Sequence, residues 1–212
     1  MTTIVLFILI FSANENPPHT IKVKNHFVDK TEILNIHWLE YMHIKGRELD
    51  SIQRKRLAPD SSNYWYAGSD HRNEPIVLIT YEQALDYCAW RSKVVSEKFG
   101  RKITYRLPTP AEWKDIAGEI IKTDLKQVEK ELAETKKRTR KDATQYYMTK
   151  TENPEPRIYH LFDNVSEMTL EIGIAMGANN LELPDLEANL TRVIQYTTQD
   201  AYLGFRCVAE TE

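Results

Sequence analysis

The sequence predicts a single α+β domain with its helices early and irregular β-structure late. Three observations lead there. The chain has 212 residues, 42% of them hydrophobic, which is enough for one domain with a packed core. Apolar residues recur at helical spacing between Glu32 and His43, after Thr80, and between Ile116 and Leu132. The last third instead breaks into short segments punctuated by Pro, Gly and Asn, a pattern of strands and long loops, not of βαβ units.

Taken in order, residues 1–13 open with a continuous apolar run, Ile4–Phe11, followed by Ser12 and Ala13. The run is too short to span a bilayer, which needs about 20 residues. It suits the core of a secretory signal cleaved shortly after Ala13, although no Lys or Arg precedes it. The alternative is a buried strand. Residues 14–25 read as a polar lead-in and His26–Thr31 as an edge strand. Ile33, Ile36, Leu39 and Met42 then mark a helix over 32–43, with Thr31 as its cap. Residues 46–75 are loop-like. Pro75 leads into an apolar run, Ile76–Ile79, that reads as a strand. Thr80 caps the next helix, which Gly100 stops. Residues 103–108 form a strand. Thr109 opens a third helix with Pro110 at its first position and Glu112 in its first turn, and amphipathic spacing continues to Leu132. The basic run Lys136–Lys141 ends it as a solvated helix terminus.

The formal net charge of −3 offers no basic surplus for nucleic acid. There are two cysteines, Cys88 and Cys207. In an exported protein such a pair would oxidise if the fold brings the two together, at a gain of about 4–5 kcal/mol in the chain-entropy model. The alternative is two buried thiols. The sequence contains no Gly-x-Ser-x-Gly elbow and no Gly-rich phosphate loop.

Five separated segments, in order, carry a resemblance. They are FVDKTEILN at 27–35, PIVLITYEQALDYCAW at 75–90, YRLPTPAEW at 105–113, DNVSEMT at 163–169 and GFRCV at 204–208. Together they resemble the motifs of the formylglycine-generating-enzyme-like, or sulfatase-modifying factor, superfamily, with the arginine-leucine-proline-threonine signature nearly complete and the Asn-Val-Trp-Glu motif drifted. The WLEYM phrase and the SEMT variant are most similar to exported Bacteroidetes proteins, a group that includes gliding-motility lipoproteins.

The resemblance implies a C-type-lectin-like fold over residues 26–212, with Cys88 and Cys207 as a structural disulfide. Arg106 and Glu112 would form an internal ion pair, with Trp113 in the core. The family's oxidases hold copper with two further cysteines after a Gly-Gly-Ser-Trp motif, because soft sulfur suits Cu(I). Here the matching stretch, Met176–Asn180 and on to Arg192, has none, so no copper is expected. The six histidines form no dense ligand motif for the family's non-haem iron branch. Calcium is the more credible ion, with Asp163, Asn164, the Val165 carbonyl and Glu167 as ligands; the alternative there is a self-capped loop. The resulting expectation is a non-catalytic exported module at the periplasm or cell surface. Tyr64, Trp65 and Tyr66 could form its contact patch for an envelope protein or glycan, unless they are buried. The competing expectation is a metal-dependent oxidase acting on a thiol. A weaker one is sugar binding near Leu183-Pro184-Asp185.

Overall fold

The structure, a computed structural model, describes residues 16–60, 66–141, 157–180 and 186–212. In chain order its elements are β1 (Thr20–Val23), β2 (His26–Asp29), α1 (Asn35–Gly46), α2 (Ser51–Lys55), α3 (Tyr81–Phe99), β3 (Ile103–Arg106), α4 (Pro110–Lys141), β4 (Ser166–Met168), β5 (Ile174–Met176), α5 (Leu186–Thr191), β6 (Val193–Gln195), β7 (Leu203–Gly204) and β8 (Val208–Thr211). The four strands β1-β2-β8-β3 form one antiparallel sheet, and β6-β5-β4-β7 form a second whose only parallel pair is β4–β7. None of the helices described is long and apolar enough to cross a membrane.

Side chains alternate across a strand, so both faces of the first sheet need cover. On one face Ile103, Tyr105 and Ala209 pack with Trp38 and Tyr41 of α1, Tyr87 and Cys88 of α3, and Phe205. Trp38 stacks on Tyr87 at 5.5 Å, and Phe205 meets Tyr87 edge-on at 5.6 Å. On the other face Val23, Val28 and Val208 pack with Trp113, Ile116 and Ile120 of α4 and with Phe162 and Met176. The sheet is therefore sandwiched between α1/α3 and α4.

The helix signals of the sequence are realised closely at α3. Thr80 Oγ1 accepts the Gln83 N–H at 3.2 Å, Gln83 Oε1 accepts the Thr80 N–H at 2.8 Å, and Gly100 ends the helix in the left-handed region at φ 64°. Elsewhere tertiary bonds override local reading. The stretch read as a lead-in supplies β1, which places β2 inside the sheet instead of at its edge. The helix read from Glu32 starts three residues later, at Asn35. Glu32 is buried, and the Ile33 N–H is taken by the Phe205 carbonyl at 2.8 Å. The apolar run 76–79 is not a strand. Its Ile76 N–H bonds the Ile33 carbonyl, its Leu78 N–H the Asp200 carbonyl, and its Leu78 carbonyl accepts the Asp60 N–H, so it is a buried loop, bent at Leu78 with φ 57°, pinned to three partners. The loop read over 46–75 contains α2, capped by Asp50.

Candidate functional site

Two features converge behind the closing segment 203–208: a pair of sulfurs and a buried polar centre. Cys88 sits on the inner face of α3 and Cys207 immediately before β8. Both are buried thiols, with Sγ atoms 3.3 Å apart and one S–H directed at the other sulfur. Burial pushes the Cys207 thiol well above its ordinary value, and the neighbouring Cys88 and Asp29 add to this. The Cys207 N–H donates to Asp29 Oδ2 at 2.9 Å, and Asp29 in turn takes a bidentate pair of bonds from Arg91 at 2.7 and 2.8 Å.

The polar centre is built on Glu167 and Arg206, both fully buried. Arg206 Nε donates to Glu167 Oε1 at 2.7 Å, and its other nitrogens donate to the Asp29 and Tyr159 carbonyls at 3.1 and 2.9 Å. Trp113 Nε1–H donates to Glu167 Oε2 at 2.9 Å. Alongside, Asn164 Nδ2 donates to Glu32 Oε1 at 2.9 Å, while Glu32 Oε2 has no partner among the described residues. Burial raises the Glu32 carboxyl to about 7.

A third group adjoins. Asp163 Oδ1 contacts His160 Nδ1 at 2.9 Å, and Asp163 Oδ2 accepts from the Thr135 hydroxyl. Glu131 pairs with Arg157 at 2.6 Å and also accepts the His160 N–H. Burial opposes charge on His160, yet Asp163, Glu32 and Glu131 together lift it to about 9.

The residues singled out for calcium are thus adjacent in the chain but diverge in space. Asp163 turns to His160 and Thr135, Asn164 to Glu32, and Glu167 to Arg206 and Trp113, while Val165 is packed against Gly204. Each carboxylate already carries a cation, so a calcium ion, which takes six to eight oxygens, would have to displace Arg206 or the His160 imidazolium. Glu131, His160 and Asp163 do bring three potential ligand atoms within 4.8 Å of one another. Asp163 lifts His160 toward its protonated form, so a metal ion there would have to displace that proton.

Arg106 and Glu112 meet in a bidentate pair at 2.7 and 2.6 Å. Glu112 also caps α4 by accepting the Thr109 N–H at 2.8 Å, and the Arg106 guanidinium holds its carboxyl down to about 2. Trp113 lies in the core. Of the aromatic patch, Tyr66 packs partly buried against the first core, while Tyr64 and Trp65 lie outside the described residues, as does Leu183-Pro184-Asp185. In the stretch after the expected Gly-Gly-Ser-Trp position, Met176 and Ala178 are buried, and Asn179 Nδ2 donates to Ser166 Oγ at 3.1 Å. Gly177 sits at φ 80°, where a Cβ would lie 3.1 Å from the Leu161 carbonyl oxygen.

The family model of the sulfatase-modifying factor enzyme 1-like domain matches residues 6–211, nearly the whole chain. The chain belongs to the sulfatase-modifying factor enzyme 1-like family. No curated protein matches it. Among solved structures it is similar to PvdO from Pseudomonas aeruginosa, at 13% identity and a TM-score of 0.53, covering 87% of this chain and 80% of that one. At that identity the likeness concerns the fold, which is the α+β fold of the family. The sequence did not single out Asp29, Glu32, Glu131, Thr135 or Arg206 as members of this buried polar cluster. One signal was available: Arg206 and Asp29 are charges set inside otherwise apolar strand-like segments, which marks a charge that needs a buried partner.

Proposed function

We propose that this chain is a non-catalytic binding or structural module of the sulfatase-modifying factor fold. It would be exported to the periplasm or cell surface and act there on an envelope protein or glycan. The observation that carries the reading is the placement of sulfur. The chain has two cysteines, and both are spent on each other within the core, between α3 and the segment leading into β8. Copper-thiolate oxidation needs thiolates open to metal and substrate. While reduced, the Cys207 thiol is held in its protonated form by burial, and once oxidised at the cell surface the pair offers no thiolate at all. The polar centre supports the same reading, because its carboxylates are neutralised from within by Arg206, Arg91 and His160. Export is supported by the apolar run Ile4–Phe11 and the small residues after it. The WLEYM and SEMT phrases favour the branch that includes gliding-motility lipoproteins.

The test is to incubate purified protein with Cu(I), dioxygen and a cysteine-containing peptide, and in parallel with Fe(II). The reading expects the peptide mass to stay unchanged and thiol loss to match the protein-free blank. Conversion of the peptide thiol that disappears in Cys88→Ser would overturn it.

A further inference from the structure

Between the β2–α1 connection and α3 the structure holds a cleft of about 360 Å³. No residue of the stretch 160–180 lines it, nor does either cysteine; it touches the polar centre and the sulfur pair only through Asp29, Glu32 and Arg91 in its floor. Its size lies in the range of small-molecule sites. The walls are apolar, with Ile36 on α1 facing Trp90, Val94 and Phe99 on α3. The polar groups set into these walls decide which ligand would fit.

Both oxygens of Asp29 are occupied by Arg91, and Glu32 Oε1 by Asn164. Glu32 Oε2, on a carboxyl that burial raises to about 7, and Glu40, on the exposed rim, remain. Apart from Arg91, the charged donors are not used. Lys30 and Lys98 line the cleft and form no ion pair among the described residues. The indole N–H of Trp90 is buried without an acceptor among the described residues.

His37 adds a donor of fixed orientation. Its Nδ1 accepts the Leu34 N–H at 3.2 Å as the side-chain half of the α1 cap. Burial and the neighbouring His19 and Arg91 push the ring down to about 3, so it is neutral. A neutral imidazole that accepts at Nδ1 carries its proton on Nε2, and no described residue accepts that proton. The same tautomer argues against a metal ion, since a ring bound through Nε2 keeps its proton on Nδ1 and would clash with the Leu34 N–H. His19, whose ring centroid is 5.1 Å from that of His37, is also lowered, by burial first.

The cleft thus combines apolar walls with four donors unpartnered among the described residues, Lys30, Lys98, Trp90 Nε1–H and His37 Nε2–H, against two unpartnered acidic groups, Glu32 Oε2 and Glu40. We propose that it binds a small organic carboxylate, with the apolar body between α1 and α3 and the carboxylate held by His37, Lys30 and Lys98. This goes beyond the module reading and does not depend on it, because no group in the cleft is asked to react.

The test uses the full chain and three probes of one shape: 4-phenylbutyrate, 4-phenylbutyramide and 4-phenylbutylamine. Binding is followed by saturation-transfer NMR and calorimetry. Hydrogen bonds to charged groups imply that the acid binds about tenfold or more tighter than the amide, and the amine most weakly. Lys98→Glu, on the exposed end of α3, together with Lys30→Glu should reduce acid binding about tenfold or more and leave amide binding unchanged. Equal affinity for acid and amide, preference for the amine, no binding of any probe by the folded protein, or acid binding unchanged by the lysine substitutions would each overturn the proposal.

Discussion

His160 makes the stability of this protein depend on pH in a defined window. Its ring is buried, with a side-chain exposure of 7%, and is held by Asp163 at 2.9 Å with Glu32 and Glu131 nearby. The folded value of about 9 lies above the unfolded value near 6.5. A group raised on folding stabilises fully below its unfolded value and loses that contribution as pH climbs through the folded value. The account therefore expects unfolding free energy to fall between about pH 6.5 and 9, at up to about 1.4 kcal/mol per pH unit and about 3 kcal/mol in all. Glu32, raised by burial to about 7, produces a separate loss between its unfolded value and 7, so the two windows barely overlap. The perturbation is His160→Asn, chosen because the backbone there has φ 53° and Asn tolerates the left-handed region. Urea unfolding at pH 7, 8 and 9, under reducing conditions, reads the slope in both proteins. The wild type should lose stability across this range, and His160→Asn should stay flat from pH 7 to 8, with only the smaller loss from the buried Cys207 thiol as pH nears 9. A flat wild type, or an equal slope in the variant, would refute the argument.

Other outcomes follow from the same geometry. Glu167→Gln leaves Arg206 charged and buried without its counter-ion, so denaturant unfolding should show a loss of about 3–5 kcal/mol; a loss below about 1 kcal/mol would mean Arg206 finds another partner. Gly177→Ala should cost about 2 kcal/mol, since it forces a side chain into φ 80° against the Leu161 carbonyl. Gly118→Ala, inside α4 with nothing within 4 Å of a new Cβ, should instead stabilise by about 0.5–1 kcal/mol, and the two melts read together check the packing. Millimolar calcium should leave the melting temperature unchanged, because the carboxylates of Asp163 and Glu167 already hold cations; a clear upward shift would show that calcium displaces them.

The parts of the fold that were legible in the sequence are those fixed by local chemistry. Thr80 with Gln83, Gly100, and Thr109-Pro110 with Glu112 set helix ends through bonds that reach only three or four residues. What could not be read locally was set by distant partners. α1 begins late because the residues just before it are tied to distant segments, Glu32 to Asn164 and the Ile33 N–H to Phe205. The run 76–79 has strand composition, but its neighbours are single segments that take one bond each, not a ladder. The polar centre follows the same rule. Glu167 and Asp163 could be recognised as notable acids, but their partners Arg206 and His160 are decided by packing, and those partners determine what the acids can do.

Cu(I) affinity of the fully reduced, folded protein measures the confinement of the chain's sulfur directly. Competition with bathocuproine disulfonate should show all copper left on the chelator, with Cys88 and Cys207 unreactive to iodoacetamide until the protein is unfolded. One equivalent of Cu(I) drawn onto the native protein, and lost in Cys88→Ser, would contradict the account.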